Sequence, residues 1–369
     1  MWLDTAFTRR IGVRHPIVQG PFGGGLSSPE LTATVSNLGG LGSFGAQGKT
    51  AEQILEATRE IRRLTSAPFA LNLWVSTADE ADPIATARAR YPEAVASLAE
   101  LFGELGLELP TFAPRPWPRF EEQIDAVLEA RPAVFSFVFG IPPAAVLEAC
   151  RDRGIVTVGA ATTVPEAVAL ESAGVDVVVA SGFEAGGHRP SFLDTAEHSL
   201  AGTLSLVPQV VDAVRVPVVA AGGIADGRGI AAVLTLGAHA AQLGTAFLAC
   251  EESNALPAHR AALFAARGPA TILTRAFSGR LGRGLRNTLS DRLEPAPAAL
   301  LPYPLQSQLV SALKEEALRQ GRLDLVAMWG GQSAPMLRHR RATELFEDLV
   351  RGTEAAFARR PGMGRRPSG

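Results

Sequence analysis

The stretch Asp176-Val177-Val178-Val179-Ala180-Ser181-Gly182-Phe183-Glu184-Ala185-Gly186-Gly187-His188-Arg189 sets the reading of this chain. It begins as a continuous run of β-branched and small apolar residues, the pattern of a strand covered on both faces rather than on one. The run stops in glycines that carry one histidine just beyond the strand's carboxyl end. Glycine lets backbone N–H groups approach a ligand closely, and the ordinary pKa of histidine suits proton transfer near neutrality. Chemistry is therefore expected at His188.

The same kind of run recurs along the chain. Eight candidate strands result, at 15–20, 40–44, 69–73, 134–138, 155–159, 176–180, 217–221 and 240–244. Helix-length amphipathic segments separate them at 29–37, 51–64, 120–130, 142–153, 164–172, 204–214 and 227–236. Several begin with capping signals, such as Ser28-Pro29-Glu30, Thr50-Ala51-Glu52 and Thr163-Val164-Pro165-Glu166. Alternating β and α elements predict a parallel sheet, and eight units predict its closure. The expected fold is α/β, a (β/α)8 TIM barrel. Such a barrel needs about 250 residues, so the surplus is expected in insertions. Residues 75–118, rich in Pro and Ala, and 250–325 are the two candidates. The second, after strand eight, is the expected substrate-side insertion or lid. Residues 1–249 then form the barrel, 326–358 a closing segment with a helix at 341–357, and 359–369 a flexible tail.

Composition narrows the function. With 35 basic and 37 acidic residues among 369, the formal net charge of -2 implies no bulk attraction to nucleic acid or to an anionic membrane. Only Lys49 and Lys314 are lysines, which argues against lysine-centred Schiff-base chemistry. Cys150 and Cys250 are far apart and lack metal-ligand spacing, so both read as helix-packing thiols. Charges at Asp4, Arg9, Arg10 and Arg14 break up any signal-peptide core, and no apolar run is long enough to span a bilayer. A cytoplasmic protein is expected.

The unusual residues gather at one rim of the predicted barrel. Strand one ends in Gln19-Gly20-Pro21-Phe22, strand three at Asn72, strand six in the His188 loop, strand seven in Gly222-Gly223, and strand eight in Gln242-Leu243-Gly244-Thr245. Active sites of such barrels lie at the carboxyl ends of the strands, and glycine turns after strands seven and eight offer backbone donors to phosphate. A phosphorylated cofactor or substrate is implied. Gly40-Leu41-Gly42-Ser43-Phe44-Gly45 matches a dinucleotide fingerprint in letters only, because it overlaps strand two instead of following a strand. Gly48-Lys49-Thr50 lacks the first glycine of a phosphate-binding loop, since position 43 is serine. The six histidines show no metal-ligand spacing, and no G-x-S-x-G elbow is present.

Taken together in this order, Gln19-Gly20-Pro21, Asn72, Glu184-Ala185-Gly186-Gly187-His188-Arg189, Ala221-Gly222-Gly223-Ile224-Ala225-Asp226-Gly227-Arg228-Gly229 and Gln242-Leu243-Gly244-Thr245-Ala246-Phe247 resemble the nitronate monooxygenases, formerly called 2-nitropropane dioxygenases. Ser278-Gly279-Arg280, Arg283-Gly284, Asn287 and Trp329-Gly330-Gly331-Gln332 extend the resemblance more weakly. It implies an FMN-binding barrel that oxidises alkyl nitronates with O2 to a carbonyl compound and nitrite. Asn72 and the backbone at Gly20 to Phe22 would contact the flavin, Gly186, Gly223 and the Gln242 to Thr245 turn would bind the ribityl phosphate region, Gly186 and Gly187 would make room for FMN, and Gly222 would join the cofactor site beside Gly223. His188 would be the base toward a nitroalkane, or as a cation would hold a nitronate's charge. Two positions depart from the family pattern, Ser181 where Gln is frequent and Pro190 where Gly is frequent. Ser181 has the shorter reach, so its flavin contact is lost or mediated by water, and Pro190 reshapes the substrate side. The expected partners are a small nitronate and O2, with a homodimer as candidate assembly. The competing reading is an NADH-dependent flavin enoyl-acyl-carrier-protein reductase, whose glycine-histidine loop is similar; a flavin-free phosphate-binding barrel is a further alternative.

Overall fold

All eight apolar runs form strands, and they pair side by side in parallel. A computed structural model describes residues 2–76, 83–295 and 297–359. Its strands are β1 (Ile17–Gln19), β2 (Gly42–Gly45), β3 (Phe69–Trp74), β4 (Val134–Val138), β5 (Val156–Ala161), β6 (Val177–Ser181), β7 (Gly187–His188), β8 (Val218–Ala221), β9 (Ala240–Leu243), β10 (Thr271–Thr274) and β11 (Gly282–Leu285). Eight of them form one sheet in the order β1-β9-β8-β6-β5-β4-β3-β2. Its two outer strands meet through a single parallel bridge, Val18 to Leu41. The result is a nearly closed eight-stranded parallel barrel of the TIM-barrel type.

The junction between β1 and β2 is completed by a side chain. Gln19 donates its N–H to the Leu41 carbonyl at 2.9 Å, and its side-chain Oε1 accepts the Ser43 N–H at 2.8 Å. Its amide nitrogen turns back onto the Gly20 carbonyl. A buried amide group thus replaces ladder bonds where the strands diverge.

Local signals explain the helices. Pro29–Asn37, Ala51–Leu64, Phe120–Ala130 and Val164–Ser172 have the limits read from the sequence. Ser28, Thr50 and Thr163 each accept an N–H from the first turn, and Thr50 and Gln53 form a reciprocal capping box. The long helix Pro83–Glu104 escaped the sequence reading, because Pro92 interrupts a segment with little contrast between its faces. Helix Ala342–Ala358 closes the ring against helix Gly227–Thr235. A methyl group on Gly227 would lie 2.2 Å from the Thr353 nitrogen, so glycine there permits the close approach of the two helices.

The barrel interior is filled by Val18, Leu41, Ala70, Val134, Val158, Val179 and Val219, joined by Phe7 and Ile11 of helix Ala6–Ile11. The Arg10–Asp176 ion pair places that helix at the amino-terminal end, leaving the opposite rim for a site. A second sheet, β10-β11-β7, forms antiparallel beside the rim, with His188 opposite Gly282 and Gly187 opposite Arg283. Among the described residues, no helix is long and apolar enough to cross a membrane. Of the tail at 359–369, residues 360–369 lie outside the described residues.

Candidate active site

A cavity of about 670 Å³ opens at the carboxyl ends of the barrel strands, within the usual range for small-molecule and cofactor sites. Strand register brings its rim together, with Ser181 beside Ala221, Ala221 beside Gln242, and Gly45 beside Asn72. Gly20, Pro21, Phe22, Asn72, Ser181, Gly186, Gly187, His188, Gly222, Gly223, Gln242, Gly244 and Thr245 all line it. Gln19 and Leu243 do not. Both are fully buried, Gln19 as the clasp between β1 and β2 and Leu243 in the core behind the wall.

His188 sits half-buried in the cavity wall, held by the short β7–β11 pairing. Its Nε2 lies 2.7 Å from the Ser278 hydroxyl. Trp329 is tilted against its ring at 4.6 Å between centroids, and Trp74 meets it edge-on at 5.0 Å. Tyr303 and Phe139 stand farther out at 6.0 and 6.4 Å. The Arg280 guanidinium packs 4.2 Å from the Phe139 ring and 4.3 Å from the Tyr303 ring. Burial first, and the Arg280 charge second, push the His188 pKa down to about 3. The imidazole is therefore neutral at physiological pH, fit to accept a proton or a hydrogen bond but not to act as a standing cation.

The remaining loops are interlocked. The Glu184 carboxylate accepts the Thr203 N–H and hydroxyl, each at 2.9 Å, tying the β6 loop to the start of helix Thr203–Ala213. The segment Trp329-Gly330-Gly331-Gln332 lies across the same loop. Gln332 donates its N–H to the Glu184 carbonyl at 3.0 Å, and Gly331 donates to the Thr245 hydroxyl at 2.8 Å. A methyl group on Gly186 would stand 2.5 Å from the Gly331 nitrogen, so its size is demanded by this neighbouring backbone. Gly222 and Gly223 have φ of 110° and 71°, in the left-handed region that glycine enters freely. A methyl group on Gly187 or Gly244 would meet no other atom within 4 Å. The cavity therefore has open, backbone-lined space beside Gly187 and Gly244. Among the described residues, no group of His, Cys, Asp and Glu could hold a metal ion.

Trp74, Phe139 and Tyr303 are absent from the sequence reading, and Ser278 and Arg280 enter it only through the weaker part of the resemblance, without a role. Trp74 could have been found, because alternate residues of a strand share a face and it lies two positions beyond Asn72. The others approach His188 only through the fold.

Comparison with known proteins agrees with this geometry. The family model described as nitronate monooxygenase matches residues 4–352. A nitronate monooxygenase of Pseudomonas aeruginosa is 43% identical over 348 residues, covering 93% of this chain and 97% of that protein. Among solved structures, a nitroalkane oxidase from Streptomyces ansochromogenes is similar with a TM-score of 0.86 and 39% identity, covering 96% of this chain and 99% of the other. FabK from Thermotoga maritima is similar at a TM-score of 0.74 and 25% identity, with 96% and 97% covered. A full-length match, relatives of this identity and a glycine-rimmed barrel cavity with His188 in its wall lead to one conclusion: the chain belongs to the nitronate monooxygenase family.

Proposed function

We propose that this nitronate monooxygenase binds FMN in the rim cavity and uses O2 to convert alkyl nitronates to carbonyl compounds and nitrite. The observation that carries the reading is the placement of a neutral His188, hydrogen-bonded to Ser278, on the wall of a cavity built from glycine loops. FMN, when bound, supplies the electron transfer and the oxygen chemistry. Gly186, Gly222, Gly223 and the Gln242 to Thr245 turn would hold its phosphate region, while Asn72, Ser181 and the Gly20 to Phe22 backbone would border the ring system. Asn72 is pre-oriented by its 3.0 Å hydrogen bond to Ser136.

His188 acts on substrate. A neutral imidazole takes the proton next to the nitro group of a nitroalkane, and toward a ready-made nitronate it orients the substrate by hydrogen bonding. Trp74, Tyr303 and Trp329 exclude water and pack the apolar part of a small substrate. Residues 250–325 form the substrate-side cover, because β11 pairs with the His188 strand and Ser278 reaches its ring. Residues 1–249 serve as the FMN-binding barrel and 326–358 as its closing segment.

Purified protein is expected to be yellow and to release FMN on denaturation. Under anaerobic conditions an alkyl nitronate should bleach the flavin and NADH should not. Bleaching by NADH alone would turn the assignment to an enoyl-thioester reductase.

A further inference from the structure

Arg189 follows the base directly in sequence, yet it is absent from the cavity wall. Its side chain is 1% exposed, the largest among the fully buried residues. One terminal nitrogen, Nη1, donates to the Ser181 carbonyl at 3.0 Å and to the Gly182 carbonyl at 2.8 Å. The other, Nη2, donates to the Ser199 carbonyl at 2.5 Å. Its backbone N–H reaches the Leu281 carbonyl at 2.9 Å, one residue from the pairing of His188 with Gly282. A single residue therefore ties the outgoing limb of the β6 loop, the returning limb and the second sheet together.

The returning limb is anchored from outside as well. Buried Glu166 accepts the N–H and hydroxyl of Thr162 at 2.7 and 2.6 Å, and the N–H groups of Phe192 and Leu193 at 2.6 and 3.2 Å. Ser191 bridges the Thr162 and Ser199 hydroxyls at 2.9 and 2.5 Å. Burial lowers the Arg189 pKa to about 10, opposed by the charges of Glu166 and Glu184, so the side chain is a cation at neutral pH. A planar fork can serve three carbonyls from one side chain, whereas an ammonium group offers one point of attachment.

We propose that Arg189 is a positioning residue for the reaction, a buried brace that holds the β6 loop in the shape that presents His188 to substrate. The β7–β11 pairing beside the base is only two residues long, and Arg189 adds to it a buried link between the two limbs of the loop. Without the guanidinium, the carbonyls of Ser181, Gly182 and Ser199 lose their buried donor and turn toward other partners. His188, one peptide away, then leaves its alignment with Ser278. The inference rests on the assignment of His188 as the acting residue.

The test uses the flavin-loaded enzyme with Arg189→Lys, Arg189→Ala, His188→Ala and the two double variants, alongside deuterium exchange of the same proteins. Arg189→Lys is expected to keep its flavin absorbance and lose roughly ten- to hundred-fold in kcat, with little change in KM, as misplacement of a reacting group does. Exchange should rise across residues 182–199 and nowhere else. In the His188→Ala background the Arg189 substitutions should cause no further loss, because the brace acts through the histidine. Arg189→Lys carries the test if Arg189→Ala fails to fold. Full activity or unchanged exchange in Arg189→Lys, or losses that multiply in the double variant, would overturn the brace while an impaired His188→Ala left the base assignment standing. A fully active His188→Ala would instead remove the base itself, and with it the group Arg189 is said to position.

Discussion

His188 Nε2 and the Ser278 hydroxyl lie 2.7 Å apart although 90 residues separate them in sequence. The Ser278 hydroxyl is also 3.3 Å from the Arg280 carbonyl, to which it donates. The serine engages the ring at Nε2, with the shared proton on one atom or the other according to the tautomer. A residue from beyond the last barrel strand thereby orients a histidine carried by the β6 loop.

Ser278→Ala should lower kcat/KM about tenfold, the effect of roughly 1.4 kcal/mol of lost alignment and hydrogen bonding. Flavin absorbance should be unchanged, since Ser278 approaches the imidazole rather than the glycine turns. Steady-state kinetics on a preformed nitronate measures this, and an unaltered kcat/KM would show that the serine contact is idle.

Acid should destabilise the fold through its buried histidines. His15, His188, His239 and His259 all have lowered pKa values, in each case chiefly from burial. Between the ordinary value of 6.5 and those lowered values, the unfolded chain takes up protons that the folded chain does not. Stability is therefore present above the ordinary value and is lost as pH falls below it. The urea midpoint should be lower at about pH 5.5 than at about pH 7.5; a midpoint that rises on acidification contradicts the assignment. By the same reasoning kcat/KM should show no His188 ionisation near its ordinary pKa.

Gly186→Ala should damage the site from behind. The added methyl would lie 2.5 Å from the Gly331 nitrogen and 2.7 Å from the Gly330 carbonyl carbon, both backbone atoms with little freedom to yield. Displacing that segment moves Trp329 away from the His188 ring. We expect a loss of about 1–3 kcal/mol in unfolding free energy together with reduced kcat, measured by denaturant titration and turnover on one preparation. A variant with native stability and turnover would mean that the 329–332 segment is not seated as described.

Gln19 and Gln242 both border the predicted flavin motifs but should fail differently. Gln19→Ala leaves the buried Ser43 N–H without its acceptor, costing about 1–3 kcal/mol of stability, with flavin retention unchanged. Gln242→Ala alters the cavity wall and should weaken flavin retention more than it lowers the melting temperature. Flavin loss on gel filtration, read beside thermal melts, separates the two. Equal behaviour of the pair would contradict their placement on opposite sides of the wall.

Most of the scaffold is legible in the sequence. The runs at 176–180 and 217–221 are continuous and β-branched, and Ser28, Thr50 and Thr163 announce their helices through bonds made within one turn. Helix Pro83–Glu104 was not legible, because Pro92 and weak amphipathicity hide it from any local reading. The motif around Gln19 suggests a flavin neighbour, whereas the fold turns its side chain inward to the barrel junction.

The eight strands, their alternation with helices, the glycine rim and the histidine beyond β6 are legible in the order of residues alone, since each depends on periodicity or on contacts between near neighbours. What surrounds that histidine is set by the fold. Ser278, Tyr303 and Trp329 reach His188 from beyond the last barrel strand, and Arg189 turns away from the cavity to brace its own loop. Such pairings follow from chain closure and burial, which bring distant residues together at no fixed spacing.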